Sequence, residues 1–456
     1  MEIKNIIEKQ RSFFNSNQTK EIAFRIENLN KIKLLLKENE NLLYKAIYED
    51  FGKSESETYI SELSLVYHEI NTAMKNVKKW SKVKKVPTRL ANFPAKSYVI
   101  PEPLGTALII AAWNYPYQLS ILPAVTALAA GNTVILKPSE LPSRTSDAIA
   151  TLINKNFDSS YFHVVEGGVL ETTELLEHRF DKIFFTGSNS VGRLIYQAAA
   201  KHLTPVTLEM GGKNPTFVFS DCDIKMTARR IAWAKFFNAG QTCVAPDYIL
   251  VEKNIEEDFL NALFEELNKY PKSYQEFSDY YTQIINTKNV DYLCELIDRA
   301  KTCYGGTTDI DARFISPTVL KNVSFDDKIM EDEIFGPILP VLSFSDLNAT
   351  IQEVKSRPKP LACYIYSKNS KTVKKLLKEI SFGGGTINDS IVHPSNSNLP
   401  FGGVGLSGIG SYHAKAGFDA FSHYKSILHK SFGFESNMRY PPYSEKKMKW
   451  IKRILE

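Results

Sequence analysis

Cys243 ends the stretch Phe236-Phe237-Asn238-Ala239-Gly240-Gln241-Thr242-Cys243, a polar, glycine-bearing loop directly after an amphipathic helical run. A structural cysteine would sit inside a periodic apolar run, whereas a reactive thiol needs a partly open setting. The loop therefore predicts a nucleophile, which calls for a base, an oxyanion donor and a cofactor elsewhere in the chain. Glu209, in Leu208-Glu209-Met210-Gly211-Gly212-Lys213, offers a carboxylate at a strand end before two glycines that permit close approach; the competing reading is a cap or an ion pair with Lys213. Asn114, in Trp113-Asn114-Tyr115-Pro116, offers a side-chain amide at another strand end, with a turn asparagine as the alternative.

Phosphate chemistry has its own candidates. Phe184-Phe185-Thr186-Gly187-Ser188-Asn189-Ser190-Val191-Gly192-Arg193 follows a strand and opens a helix, so its amides can accept a phosphate. Gly187 and Gly192 are spaced GxxxxG rather than GxGxxG, and alone that spacing reads as an ordinary turn. Lys137-Pro138-Ser139-Glu140 adds a cation for phosphate or ribose and a carboxylate suited to ribose hydroxyls. Together these make a dinucleotide the expected ligand, and nucleophile, base, oxyanion donor and cofactor site form the set needed for covalent oxidation of a carbonyl.

The elements that position these residues alternate in type. From residue 100 short apolar runs alternate with helical ones, the pattern of a parallel α/β sheet. Strands are expected at Thr106–Ala112, Thr133–Leu136, Phe162–Val165, Lys182–Phe185 and Val206–Glu209, with helices at Pro116–Ala130 and Ser190–Lys201. Lys137, Gly187, Ser188 and Glu209 then lie at carboxyl ends of strands, where such sheets bind ligands. A second α/β segment begins at Asn214–Phe219, with helix Ile224–Phe237, strand Ile249–Glu252, helix Ile255–Leu267 and later strands at Thr318–Leu320, Ile338–Phe344 and Ala362–Tyr366. The cysteine falls at the junction of the two.

Residues 20 to 80 carry packing helices, one through Ile22, Ile26, Leu29 and Leu36 stopped by Gly52, another through Ile60, Leu63, Tyr67, Ile70, Met74 and Val77. Lys75, Lys78, Lys79, Lys82, Lys84, Lys85 and Arg89 at the end of the second read as a solvated face before an anion-binding patch. Ser97-Tyr98-Val99-Ile100, stopped by Pro101, and Ser422–Leu428 read as strands of an arm.

Composition narrows the function classes. The 456 residues suit two or more domains, and 43% hydrophobic with 23% charged residues is ordinary for a globular protein. With 56 basic against 51 acidic residues there is no strong case for a nucleic-acid partner. Five cysteines without a CxxC pair, and no secretory signal at Met1-Glu2-Ile3-Lys4, point to reduced thiols in the cytoplasm, without disulfides or a bound metal. The uncharged run Pro103–Leu136 is broken by Asn114, Pro116, Gln118, Pro123, Gly131 and Asn132, so no transmembrane segment is expected.

Asn114 in WNYP, Lys137 in KPSE, Gly187 in FTGS, Glu209 in LEMGGK, Cys243 in GQTCVAPDY, Glu333 in EDEIFGP, Asn388 in GGGTIND and Phe401 in LPFGGVGLSGIG occur in this order. On these motifs the chain resembles, over nearly its whole length, an aldehyde dehydrogenase of the class three, fatty-aldehyde branch. The resemblance implies an α/β fold with a Rossmann-type cofactor domain (1–80 and 101–209) and an α/β catalytic domain (210–410). Residues 81–100 and 411–456 would form a β arm for oligomerisation and a C-terminal segment, giving a homodimer.

The same resemblance assigns Cys243 to attack on an aldehyde, Asn114 and the Cys243 amide to the oxyanion, and Glu209 to the water that hydrolyses a thioester to a carboxylic acid, with NAD or NADP as hydride acceptor. It gives Lys137 and Glu140 to the adenosine ribose, Gly187, Ser188 and Gly192 to the pyrophosphate, and Glu333 and Phe335, with Trp113, to the rest of the cofactor. Glu140 favours NAD and leaves NADP open. Tyr115, Trp233, Thr242, Ile391 and Phe401 would line an apolar tunnel for medium to long aliphatic or aromatic aldehydes, or serve as core. The alternatives are an acylating dehydrogenase or acyl reductase, against which Glu209 argues, and a structural protein that has kept the fold. The tail, with Lys446, Lys447, Lys449, Lys452 and Arg453 among Met448, Trp450, Ile451 and Leu455, reads first as a packing helix at the tunnel mouth and second as a loose membrane contact.

Overall fold

The computed structural model describes residues 2–270 and 281–455; Met1, Glu456 and the stretch 271–280 within the expected catalytic segment lie outside the described residues. Strands Thr106–Ile110, Thr133–Lys137, Phe162–Val164, Lys182–Gly187 and Val206–Met210 form a parallel sheet, each within two residues of its expected bounds. Their apolar runs, such as Ala107-Leu108-Ile109 and Val134-Ile135-Leu136, are fully buried, as strands covered on both faces must be. Helix Pro116–Ala130 opens on proline, ends at Gly131 with φ +99°, and buries every side chain but Gln118. The sheet runs in the order Val206–Met210, Lys182–Gly187, Thr106–Ile110, Thr133–Lys137, Phe162–Val164. The chain thus builds outward from Thr106–Ile110 first one way and then the other, and the crevice beside that strand's carboxyl end is the switch point where α/β sheets take ligands.

A second sheet collects Pro215–Val218, Tyr248–Glu252, Thr318–Leu320, Ile338–Phe344, Ala362–Tyr366 and Gly384–Ile387 as parallel strands, with Thr302–Tyr304 antiparallel at one edge. Helix Ile224–Phe236 precedes the cysteine loop, and Tyr248–Glu252 follows it. One late strand crosses back: Gly408–Ile409 pairs antiparallel with Glu209 and Leu208 at the edge of the first sheet.

Three details of the N-terminal helices differ from the sequence reading. The first helical region is two helices, Ile22–Glu38 and Glu40–Phe51, broken at Asn39, and Gly52 ends the second in the left-handed region at φ +65°. A wide π turn at Tyr59–Leu63 shifts the helical phase, so that Glu62 and Leu63 are buried while Ile60, expected in the core, is 58% exposed. Lys84 and Lys85 belong to a short strand, Lys84–Val86, instead of the helix end, and remain exposed.

That short strand pairs with Ala95–Pro103, which pairs on its other side with Ser422–Lys430 over nine residues. Pro101 does not stop the strand. Lys84–Val86 covers only Ser97–Val99, so at Pro101 the strand has a neighbour on one side alone and the missing N–H costs no ladder bond. The C-terminal helix Glu445–Leu455 buries none of its residues. It lies against the turns Leu90–Asn92 and Asn437–Arg439, tethered by Lys447 Nζ, which donates to the Tyr440 and Pro442 carbonyls. It therefore packs on the arm, not at a tunnel mouth. Among the described residues no helix is long and apolar enough to cross a membrane.

Candidate active site

Two cavities meet at Cys243. The larger, of about 650 Å³, opens at the switch point and reaches Asn114, Glu209 and Cys243 at its inner end. The smaller, of about 270 Å³, approaches Cys243 from the other side.

The loop before the cysteine takes an uncommon backbone course. Asn238, Ala239 and Gly240 are successively left-handed, at φ +54°, +51° and +73°. Only glycine fits the last position, because a Cβ there would collide with the Gly336 carbonyl. A buried polar network over-determines the turn. Glu57 Oε1 accepts from Asn238 N at 2.7 Å, and Asn238 Nδ2 donates at 3.0 Å to the carbonyls of Asn114 and Gln241. Lys53 Nζ donates to the Asn114 carbonyl at 3.1 Å and to Glu62 Oε1 at 2.8 Å, in an ion pair with no solvent exposure. Asn114 Nδ2 itself donates to the Gln241 carbonyl at 3.0 Å. That bond uses one of the amide's two hydrogens and fixes its plane; the other is available to an oxyanion.

Charge in the site is arranged around burial. The Cys243 thiol is pushed up to about 12, first by burial and then by the carboxylates of Glu333 and Glu209. The resting thiol is therefore protonated at neutral pH, in a residue that is only half-buried, the partly open setting its loop suggested. Burial alone holds Glu209 well above the ordinary carboxylate range, and both of its buried oxygens lack a hydrogen-bond partner. Lys213, the alternative partner, is instead 2.6 Å from Asp247 Oδ2. Glu333 is raised by burial and by Asp247, and it lies so close over Gly211 that a Cβ there would collide with its carboxylate.

The larger cavity gathers Trp113, Lys137, Glu140, Gly187, Ser188, Glu333 and Phe335. Lys137 Nζ is 3.0 Å from Glu140 Oε2. Ser188 caps the helix Asn189–Lys201 at the cavity wall, its hydroxyl accepting from Val191 N. Trp113 and Phe335 meet edge to face at 5.4 Å. Gly192 is not in the wall: a Cβ there would collide with Met210 Sδ, so this glycine serves the approach of the helix to strand Val206–Met210. The cavity suits a dinucleotide, with a cation, a carboxylate and a helix N-terminus at strand ends and a carboxylate beside the cysteine.

Tyr115, Trp233, Thr242, Ile391 and Phe401 all line the smaller cavity. Sequence reasoning missed Lys53, Glu57, Glu62 and Asn238 because polar residues on a helix or in a loop carry no pattern that marks burial. It also missed Tyr412 and His413 of the smaller cavity; the preceding run of glycines was the only local signal.

Cys243, the Asn114 amide, the unpartnered Glu209 carboxylate and a cavity that suits a dinucleotide thus lie together, an arrangement chemically able to oxidise a carbonyl. The aldehyde dehydrogenase family profile matches residues 1–427. The chain is 47% identical over 459 residues to 4,4'-diaponeurosporen-aldehyde dehydrogenase of Staphylococcus aureus, covering 99% of this chain and 100% of that one. It is 45% identical to the dimeric NADP-preferring aldehyde dehydrogenase of Rattus norvegicus over 96% and 98% of the two chains. The solved substrate-bound state of Staphylococcus aureus AldH superposes with a TM-score of 0.97 at 45% identity over the full length of both. The chain belongs to the aldehyde dehydrogenase family. It is an enzyme that oxidises aldehydes with NAD or NADP.

Proposed function

We propose that the oxidation runs through a thioester on Cys243 that Glu209 helps water to hydrolyse. The observation that carries this is the Glu209 carboxylate, buried in the same cavity as Cys243 with both oxygens unpartnered. A buried carboxylate without a donor is costly unless the site uses it, and a water between it and the thioester carbon satisfies it.

The Cys243 thiol gives up its proton to water, Sγ attacks the aldehyde carbon, and the developing oxyanion takes hydrogen bonds from Asn114 Nδ2 and the Cys243 amide. The carbonyl re-forms as this carbon gives up a hydride, for which NAD or NADP, held by Lys137, Glu140, Gly187, Ser188, Glu333 and Phe335, would supply the acceptor. Glu209 then takes a proton from water as it attacks the thioester; the C–S bond breaks and the carboxylic acid departs. Hydrolysis distinguishes this route from acyl transfer to a thiol acceptor, and the complete set of Cys243, Glu209, Asn114 and Lys137 argues against a structural role.

Lys137 and Glu140 are assigned to the adenosine ribose, Gly187 and Ser188 to the pyrophosphate, Glu333 and Phe335 to the nicotinamide side, with Trp113 beside them. The aromatic and aliphatic wall of the smaller cavity favours medium to long aliphatic or aromatic aldehydes. Residues 1–80 with 101–209 act as the cofactor domain and 210–410 as the catalytic domain, with 81–100 and 411–456 as the arm of a homodimer; the rat relative's name, a dimeric enzyme, supports that assembly. Five free cysteines, one of them catalytic in this scheme, fit the reducing cytoplasm. The test is Cys243→Ala, which is expected to bind NAD and to oxidise no aldehyde; substantial turnover in that variant contradicts the scheme.

A further inference from the structure

Asn238 has no solvent exposure and lines neither cavity, yet both hydrogens of its amide are spent on the two segments that build the oxyanion site. Nδ2 donates at 3.0 Å to the carbonyl of Asn114, just past strand Thr106–Ile110, and at 3.0 Å to the carbonyl of Gln241 in the cysteine loop. Turning the amide over would set Oδ1 against two carbonyl oxygens, so the donor faces them and Oδ1 is the atom left buried without a partner. Backbone conformation does not explain this residue. Asparagine and glycine enter the left-handed region most readily, but Ala239 beside it holds φ +51° against +54° for Asn238. The turn accepts a side chain without an amide, and the amide answers another need.

That need lies in the lone pairs. A carbonyl oxygen has two of them. Those of Gln241 take the amides of Asn238 and Asn114, each at 3.0 Å. Those of Asn114 take Asn238 Nδ2 at 3.0 Å and Lys53 Nζ at 3.1 Å. Neither oxygen has room for the second hydrogen of the Asn114 amide, which is left to the cavity that Asn114 shares with Cys243. Without the Asn238 amide a lone pair on each carbonyl falls open, and the Asn114 amide loses the neighbour that fixes where it points. The nucleophile is anchored separately. Asn214 Nδ2 donates to the carbonyls of Cys243 at 2.8 Å and Ala245 at 3.0 Å, while its Oδ1 accepts from Ala362 N at 2.7 Å.

We propose that Asn238 is a positioning residue of the oxyanion site, holding the Asn114 amide with one hydrogen free for the oxygen of the attacked aldehyde while itself touching neither substrate nor cofactor. The proposal rests on the reading of Asn114 as an oxyanion donor.

The test sets two reactions of the same thiol side by side. NADH formation in the first turnover passes through an oxyanion; alkylation of Cys243 by iodoacetamide, followed on the Cys243 peptide by mass, displaces iodide and forms none. Asn238→Gly keeps the backbone conformation and removes the amide. It is expected to slow the first turnover by about 10- to 100-fold, a share of the roughly 10²- to 10³-fold that a whole oxyanion donor supplies. Alkylation and NAD affinity, which do not pass through this network, are expected to stay within about twofold of native. Asn114→Ala is expected to lose the full amount, and adding Asn238→Gly to it to cost little more, since the two act as one unit. A first turnover unchanged in Asn238→Gly, or alkylation slowed in the same proportion, overturns the proposal. Should the glycine variant not fold, Asn238→Ala decides by the same measurements, since Ala239 shows that alanine enters this turn. A first turnover unchanged in Asn114→Ala instead contradicts the oxyanion reading on which the proposal rests.

Discussion

Glu209 is where burial, stability and turnover meet. As the proposed base it must be ionised, and burial raises its pKa well above the ordinary carboxylate range; thioester hydrolysis should therefore keep accelerating with pH where an exposed glutamate is already charged. The stability sign is opposite. A carboxyl whose folded pKa is raised supports the fold while neutral and loses that support as pH rises through the folded value. Glu209→Gln is thus expected to slow steady turnover by about 10²- to 10⁴-fold with a burst of NADH before it. It is also expected to melt above the native protein, by a margin that widens with pH in thermal scans. Unchanged turnover without a burst leaves Glu209 structural, and a margin that shrinks with pH refutes the buried-carboxylate account. Glu140, half exposed and paired with Lys137, carries the cofactor prediction. Glu140→Gln removes a charge that repels a 2′-phosphate, so the kcat/KM ratio of NADP to NAD should rise; an unmoved ratio means that Glu140 does not face the ribose.

At the scale of elements, the cysteine loop is held from behind by the segment Lys53–Glu62. Lys53→Met leaves Glu62 as a buried carboxylate facing the Tyr117 amide, at 2.7 Å, without its cation. Breaking a buried pair by removing one partner costs roughly 3–5 kcal/mol, to be read by chemical denaturation, and the double change Lys53→Met with Glu62→Leu should recover a large part of it. If the double variant is no more stable than the single one, the pair is not the relevant interaction. This clamp was invisible in the sequence. Strands such as Thr133–Lys137 were legible because parallel strands are unbroken apolar runs, Glu209 and Lys137 because each sits at the carboxyl end of a strand, and Cys243 because its polar loop separates a helix from a strand. Ile60 was misread because one π turn shifts a period that assumes 3.6 residues throughout, and Pro101 because its missing bond falls on the side of the strand that has no neighbour there. Tyr412 and His413 carry no local pattern; they are placed at the cavity by Glu69 and Phe401, distant in sequence.

At the scale of the molecule, the arm presents Ser422–Lys430 as an edge strand, paired with Ala95–Pro103 on one side and mostly exposed. A long edge of this kind invites a partner strand, and a two-fold assembly supplies one. The proposed homodimer is therefore expected to persist at micromolar concentration in sedimentation; a stable monomer contradicts it. The two parallel sheets divide the labour. Carboxyl ends in the first supply Lys137, Gly187 and Glu209, and the loop entering the second supplies Cys243, so the proposed covalent centre lies where the two meet.

The central claim is that Cys243 carries the acyl group, and it can be observed directly. Glu209→Gln is mixed with aldehyde and NAD, quenched in acid within the burst, and digested for peptide mass mapping. One acyl mass is expected on the peptide containing Cys243 and none on those containing Cys222, Cys294, Cys303 or Cys363. An acyl mass on another cysteine, or continued turnover with Cys243 unmodified throughout, would contradict the account.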